Sequence, residues 1–406
     1  MTEHPGLIFA ALMIFSYGLL SRVAERSPVT SPMVFVAMGI AVGPLGLGLF
    51  EMEVRGELIH VLTEATLVLV LFVDASTIDL KQLIRDRAVP IRLLGAGLPL
   101  CMLLGTLLAY ALYPELNIWM LVLMALILSP TDAALGQAVV KSEQVPERVR
   151  RWISTESGLN DGIALPPIFA CLAVLAAGSA GSGEHRWILF LMQQIVFGML
   201  VGGLVGWVGG ILVDSCSRRG WMNGTFQRLA CGSLAILSFA IAELVHGNGF
   251  IAAFAGGLLL GYGTKSDEVR ERIQEFGEAE GQQLILFVFL IFSMVMVPHA
   301  VEYWDGRAWL YAILSLTLVR MVPVAISLLG TKLGMGTALF IGWFGPRGVA
   351  SVLYLLLVVA ELGIAGYETI LSVIVLTVLL SVFLHGVSAV PLSNRYGQGA
   401  GRLVGD

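Results

Sequence analysis

Residues 152–178 read WISTESGLNDGIALPPIFACLAVLAAG, a run apolar enough to cross a bilayer yet carrying Glu156, Asn160 and Asp161. A helix needs about 20 mostly apolar residues to cross about 30 Å of hydrocarbon. A charge placed there costs about 2.5–3.5 kcal/mol on insertion scales, so it serves a function or has a partner. Side chains four apart share a helix face. The spacing therefore sets Ser157 beside Asp161 and Glu156 beside Asn160. A hydroxyl and a carboxylate together are hard-oxygen chemistry, suited to an alkali cation. Glu156 with Asn160 asks for a basic partner, and a buried ion pair that only fixes packing is the plain alternative. Pro166 and Pro167 follow and predict a kinked or loosened outer half of the helix.

The rest of the chain has the same character. Of 406 residues, 57% are hydrophobic and 13% charged, against about 25% charged in soluble domains. Mean hydropathy is +0.86. Polar groups must cover the outside of a soluble protein, and this chain has too few. In lipid, helices satisfy their own backbone, and the 47 glycines fit helices that pack closely or break. The fold class expected is an all-α integral membrane protein, with no soluble domain. Thirteen apolar segments can be drawn, at 6–24, 31–50, 57–78, 89–113, 116–139, 152–178, 187–213, 226–246, 248–263, 281–299, 308–330, 335–361 and 367–391. Alternate connections then collect 19 of the 24 Lys and Arg residues on one side. The positive-inside rule makes that side cytoplasmic, with the N-terminus outside and the C-terminus inside. The polar stretch Thr264–Gly281 reads as a short surface helix. The net charge of −5 is small and says nothing about nucleic acid, and no nucleic-acid partner is expected. Cys101, Cys171, Cys216 and Cys231 have no metal-ligand spacing and read as structural thiols. His60, His246, His299 and His385 read as interface or packing histidines.

Other costly residues stand in mid-segment. Asp74 lies in LVLFVDAST of span three, and Thr131 and Asp132 in ALILSPTDAALG of span five. Arg320 lies in span eleven and Arg347 in IGWFGPRGVASV of span twelve, the two basic residues within the membrane that Glu156 can reach. SPTD (129–132) and GPRG (345–348) each interrupt an apolar run with a helix breaker. Breaks in corresponding spans of two halves are the mark of an inverted-repeat transporter with its site at the crossing. Spans five and twelve are each the fifth of six, with span seven as linker. Half-helix ends carry partial charges, which Asp132 and Arg347 are of the right types to offset.

Taken together, SPTD, ESGLND (156–161), Arg320 and GPRG resemble the NhaP-type monovalent cation/proton antiporters, the group that includes the animal sodium/proton exchangers. The resemblance runs over the whole apolar length. It implies thirteen helices in two inverted repeats with crossed broken helices. It also implies a six-helix core built from the 89–178 and 281–391 regions, the remaining spans forming a dimerisation scaffold in a homodimer. Asp161 is then the carrier carboxylate, with Ser157 and Thr131 as further Na⁺ ligands and Asn160 where electrogenic relatives carry a second Asp. Glu156 is implied to pair with Arg320 and hold Asn160. Asp74 is a further cation- or proton-binding candidate, standing where related archaeal proteins often have Glu.

The function expected is exchange of Na⁺ (or Li⁺) for H⁺ by alternating access in the cell (inner) membrane, electroneutral and without a cofactor. K⁺/H⁺ exchange or a cation channel is the alternative. An intramembrane enzyme fits less well, because no nucleophile stands with a base in reach.

Overall fold

The computed structural model describes residues 3–24, 27, 29–50, 56–132, 135–177 and 184–400. Among them all regular structure is helical. Among the described residues, eight helices are long and apolar enough to cross a membrane, from Ile59–Ser76 to Glu368–Gln398. Shorter apolar helices, Ala11–Arg22, Ser31–Val42, Ile118–Ile127, Gly249–Gly263 and Val349–Leu362, fall in five further segments of the sequence. The chain is a multi-pass membrane protein. Its outward-facing apolar side chains, Leu189, Leu200, Leu204, Ile236 and Leu244 among them, would be intolerable in water and are suited to lipid.

One expectation needs correction. Thr264–Gly281 is not a separate surface helix: one helix runs from Asp267 to Ile291. Its first turns are amphipathic, with Val269 and Ile273 buried, so they continue the apolar span below them. The start is fixed from another helix, because the buried Asp214 carboxylate accepts the Ser266 N–H at 2.9 Å. Pro166 and Pro167 stand inside span six, a single helix from Glu147 to Ala177.

The chain forms two compact units. One comprises Met1–Val61, Val89–Ser157 and Ile285–Asp406, the other Leu62–Ala88 and Gly158–Leu284. In the second unit, the helices Glu184–Arg218 and Gly249–Gly263 lie against each other along a seam of glycines four residues apart. A β-carbon at Gly198 or Gly210 would stand 2.7 Å or 2.9 Å from the carbonyl oxygens of Asn248 and Leu260. One at Gly202 or Gly206 would run into those of Ala252 and Gly256. Small residues let membrane helices approach backbone to backbone, which replaces a hydrophobic drive that lipid does not supply. The turn into Gly249–Gly263 holds His246 at φ 59°, and Asn248 caps the helix by accepting from Ile251 N–H at 3.0 Å.

In the first unit, both spans with sequence breakers are broken. Span five is helical over Ile118–Ile127, opens through Leu128–Asp132, and resumes as a turn at Gln137–Val140. Span twelve is helical over Met335–Trp343 and Val349–Leu362, open between. Span eleven is distorted at the single residue Thr317, between Gly306–Leu316 and Leu318–Ser327, while Thr317 N–H still bonds the Ile313 carbonyl at 3.1 Å.

Candidate functional site

A helix ending inside a membrane leaves carbonyls at one end and N–H groups at the other without partners. The two breaks resolve this by exchanging groups. Asp132 N–H donates to the Pro346 carbonyl at 2.9 Å, tying the two open segments directly. The Asp132 carboxylate accepts from Val349 N–H at 2.6 Å, at the positive N-terminus of Val349–Leu362. Arg347 does the converse: its guanidinium donates to the Ser129 and Pro130 carbonyls at 2.8 Å and 3.1 Å, just past the negative end of Ile118–Ile127. Ser351 adds a bond to the Ile127 carbonyl at 2.8 Å. The offsets expected of Asp132 and Arg347 are present, each made across to the other span. Gly348 has to be glycine here, because a β-carbon would run into the Asp132 carboxylate.

Span six meets this crossing from Thr131. The Thr131 and Ser157 hydroxyls lie 3.0 Å apart, both buried. One residue earlier, Glu156 takes a two-pronged bond from Arg320, at 2.6 Å and 2.8 Å, with both side chains at most 2% exposed. Charge-assisted bidentate pairs of this kind are short and directional. Arg320, not Arg347, is therefore the partner of Glu156. Gly345 leaves the space that the Arg320 guanidinium occupies.

Within the second unit, Asn160 and Asp161 are buried on the continuation of the same helix. Ser157 and Asp161 are four apart on it and share a face. Gly162 leaves room for the Phe254 ring. A β-carbon at Gly158 would stand 3.3 Å from the Asp74 carbonyl, so Asp74 lies beside the ESGLND turn, half-buried near the end of Glu57–Ser76. Ser351 and Ser381, both fully buried polar anchors, escaped the sequence reading. A lone serine in an apolar helix carries no signal, since it can satisfy itself on the preceding turn.

The family model described as "Sodium/hydrogen exchanger, transmembrane" matches residues 9–395. The chain belongs to this family. The exchangers are transporters, not enzymes. This exchanger is 28% identical, over 89% of its length and 88% of the relative's, to the Na(+)/H(+) antiporter NhaP of Pseudomonas aeruginosa. It is 25% identical to the K(+)/H(+) antiporter NhaP of Alkalimonas amylolytica, over 95% of its own length and 66% of that protein's. It spans 65% and 36% of two antiporter relatives from Schizosaccharomyces pombe. Its fold is that of the sodium proton antiporter MjNhaP1 from Methanocaldococcus jannaschii, with a TM-score of 0.80 at 19% identity over 98% of this chain and all of that one.

Proposed function

We propose that this cation/proton antiporter exchanges Na⁺, or Li⁺ by the same chemistry, for H⁺ one for one by alternating access. Asp161 is the carrier carboxylate, and Ser157 and Thr131 are further ligands. The observation that carries this reading is the Thr131–Ser157 contact at 3.0 Å, beside a crossing whose helix ends neutralise each other. Two hydroxyl oxygens meet there, and Asp161 stands one turn along from Ser157 on the same helix. A carboxylate cannot hold a proton and a cation together, and that competition couples the two flows. Glu156 is committed to Arg320 and Asp132 to a helix end, so neither is available as a second carrier. Asn160, next to Asp161, does not titrate. One charge per cycle then crosses in either form, and transport is electroneutral. Asp74 is the acid that would alter this count.

The remaining expectations join the proposal: thirteen crossings in two inverted repeats, a six-helix core with a dimerisation scaffold, a homodimer in the cell membrane, and the N-terminus outside. K⁺ is the second reading for the cargo, favoured by the relatives named as K(+)/H(+) antiporters. A series of Na⁺, Li⁺ and K⁺ at fixed pH in proteoliposomes, read as proton movement, decides between them. An imposed diffusion potential at zero pH gradient tests the stoichiometry. Uptake that scales with voltage, worth about 2.3 kcal/mol per charge per 100 mV, would refute one-for-one exchange and point to Asp74.

A further inference from the structure

We propose that Ser381 and His385, on the helix Glu368–Ala400, are positioning residues for cation exchange that splint the break of span twelve. The inference rests on the exchange reading above and adds to it. Both edges of the break attach to one stripe of this helix. On the far edge, Arg347 N–H donates to Ser381 Oγ at 2.7 Å. On the near edge, the Trp343 ring packs on the His385 ring, centroids 4.9 Å apart. Trp343 Nε1–H also donates to Ser388 Oγ at 2.9 Å. Positions 381, 385 and 388 are spaced by four and three, one helix face.

The histidine tightens this face. Its Nδ1 lies 3.0 Å from the Ser381 carbonyl, which can only accept, so Nδ1 carries the proton and donates. The same nitrogen is 3.1 Å from Ser381 Oγ, which keeps that hydroxyl under Arg347 N–H. Arg347, Ser381 and His385 are all at most 2% exposed, so no water can replace a lost bond cheaply. Beyond Arg347 the chain of contacts reaches the site. The guanidinium holds the Ser129 and Pro130 carbonyls, the two positions before Thr131. Freed from Ser381, the Arg347 main chain shifts, its grip on those carbonyls loosens, and the Thr131 ligand moves off the cation.

The test is the half-saturating Na⁺ concentration of exchange in proteoliposomes. Ser381→Ala and His385→Leu should each raise it about tenfold, equal to ~1.4 kcal/mol, with the maximal rate largely kept. Ser381→Thr keeps the hydroxyl and His385→Asn keeps a donor near the place of Nδ1, so both should return close to wild type. The same shift should appear without turnover, in the Na⁺ concentration that raises the melting temperature in detergent. If Ser381→Ala does not fold, the His385 pair gives the same reading. Unchanged half-saturation in both Ser381→Ala and His385→Leu would overturn the proposal. So would a Ser381→Thr as impaired as Ser381→Ala. A wild-type protein that does not exchange would overturn the exchange reading instead, and the melting titration would still decide the role of Ser381 and His385.

Discussion

Two parts of this molecule bring main chain against main chain, by opposite means. Along the Gly198–Gly210 seam, helices meet because side chains are absent, and both helices run unbroken past it. At the crossing of spans five and twelve, helices end in mid-segment, and buried charges satisfy what the breaks expose. The seam is stable by geometry alone and has nothing to move or titrate. The crossing and the pair beside it depend on Asp132, Arg347, Glu156 and Arg320 keeping their partners. A region that must bind and release an ion needs polar main chain open toward a cavity, and broken helices supply it. The seam suits a scaffold, and the crossing suits chemistry.

If that contrast is right, the largest losses of stability come from the charges. Glu156→Gln or Arg320→Met leaves the other charge buried alone, and each should cost about 3–5 kcal/mol. The double variant should be milder than the sum, read as melting temperature in detergent. Additive losses would mean that the pair is not coupled. Seam glycines come next. Gly206→Ala forces two backbones apart and should cost about 1–3 kcal/mol, the range for overpacking. Gly232, on Gly224–Leu244, has nothing near its absent β-carbon. Gly232→Ala should stabilise by about 0.4–1 kcal/mol. Equal effects at the two glycines would remove the case for a seam.

The smallest effect lies outside the membrane segments. Arg307 bonds Asp305 at 3.0 Å and Glu115 at 2.6 Å. Its guanidinium is held above its ordinary value by Asp305 first and then Glu115. Glu115 is held below its ordinary value by its own main-chain N–H and then by Arg307. Burial pushes Asp305 up, but the Ala308 N–H and Arg307 outweigh it, and the net direction is down. A depressed carboxylate stabilises the fold above its unfolded value, about 4, and that stability is lost as pH falls through the folded value. Arg307→Gln should lower the melting temperature slightly at pH 7, and the difference should fade below about pH 4. A difference that persists in acid would show that packing of Arg307 on Tyr113, not charge, does the holding.

Much of this was legible in the residues. Period and length marked the apolar segments, and SPTD and GPRG marked two breaks because Pro and Gly cannot continue a helix unaided. The expense of a buried charge singled out Glu156, Arg320, Asp132 and Arg347, and the structure pairs each of them. The rest depended on partners that no single segment contains. The distortion of span eleven at Thr317 has no Pro or Gly at that position to mark it. Thr264–Gly281 looked like a surface helix because its buried face, Val269 and Ile273, is narrow beside its charges. Four-residue glycine spacing says that something comes close, but not that Asn248, Ala252, Gly256 and Leu260 do.

The central claim is that one carboxylate, Asp161, alternates between proton and cation. Asp161→Asn keeps the size of the side chain and removes only its titration. In proteoliposomes the variant should insert and melt as the wild type does, yet show no Na⁺-driven proton movement at any pH. Appreciable Na⁺-dependent proton movement in that protein would contradict the account.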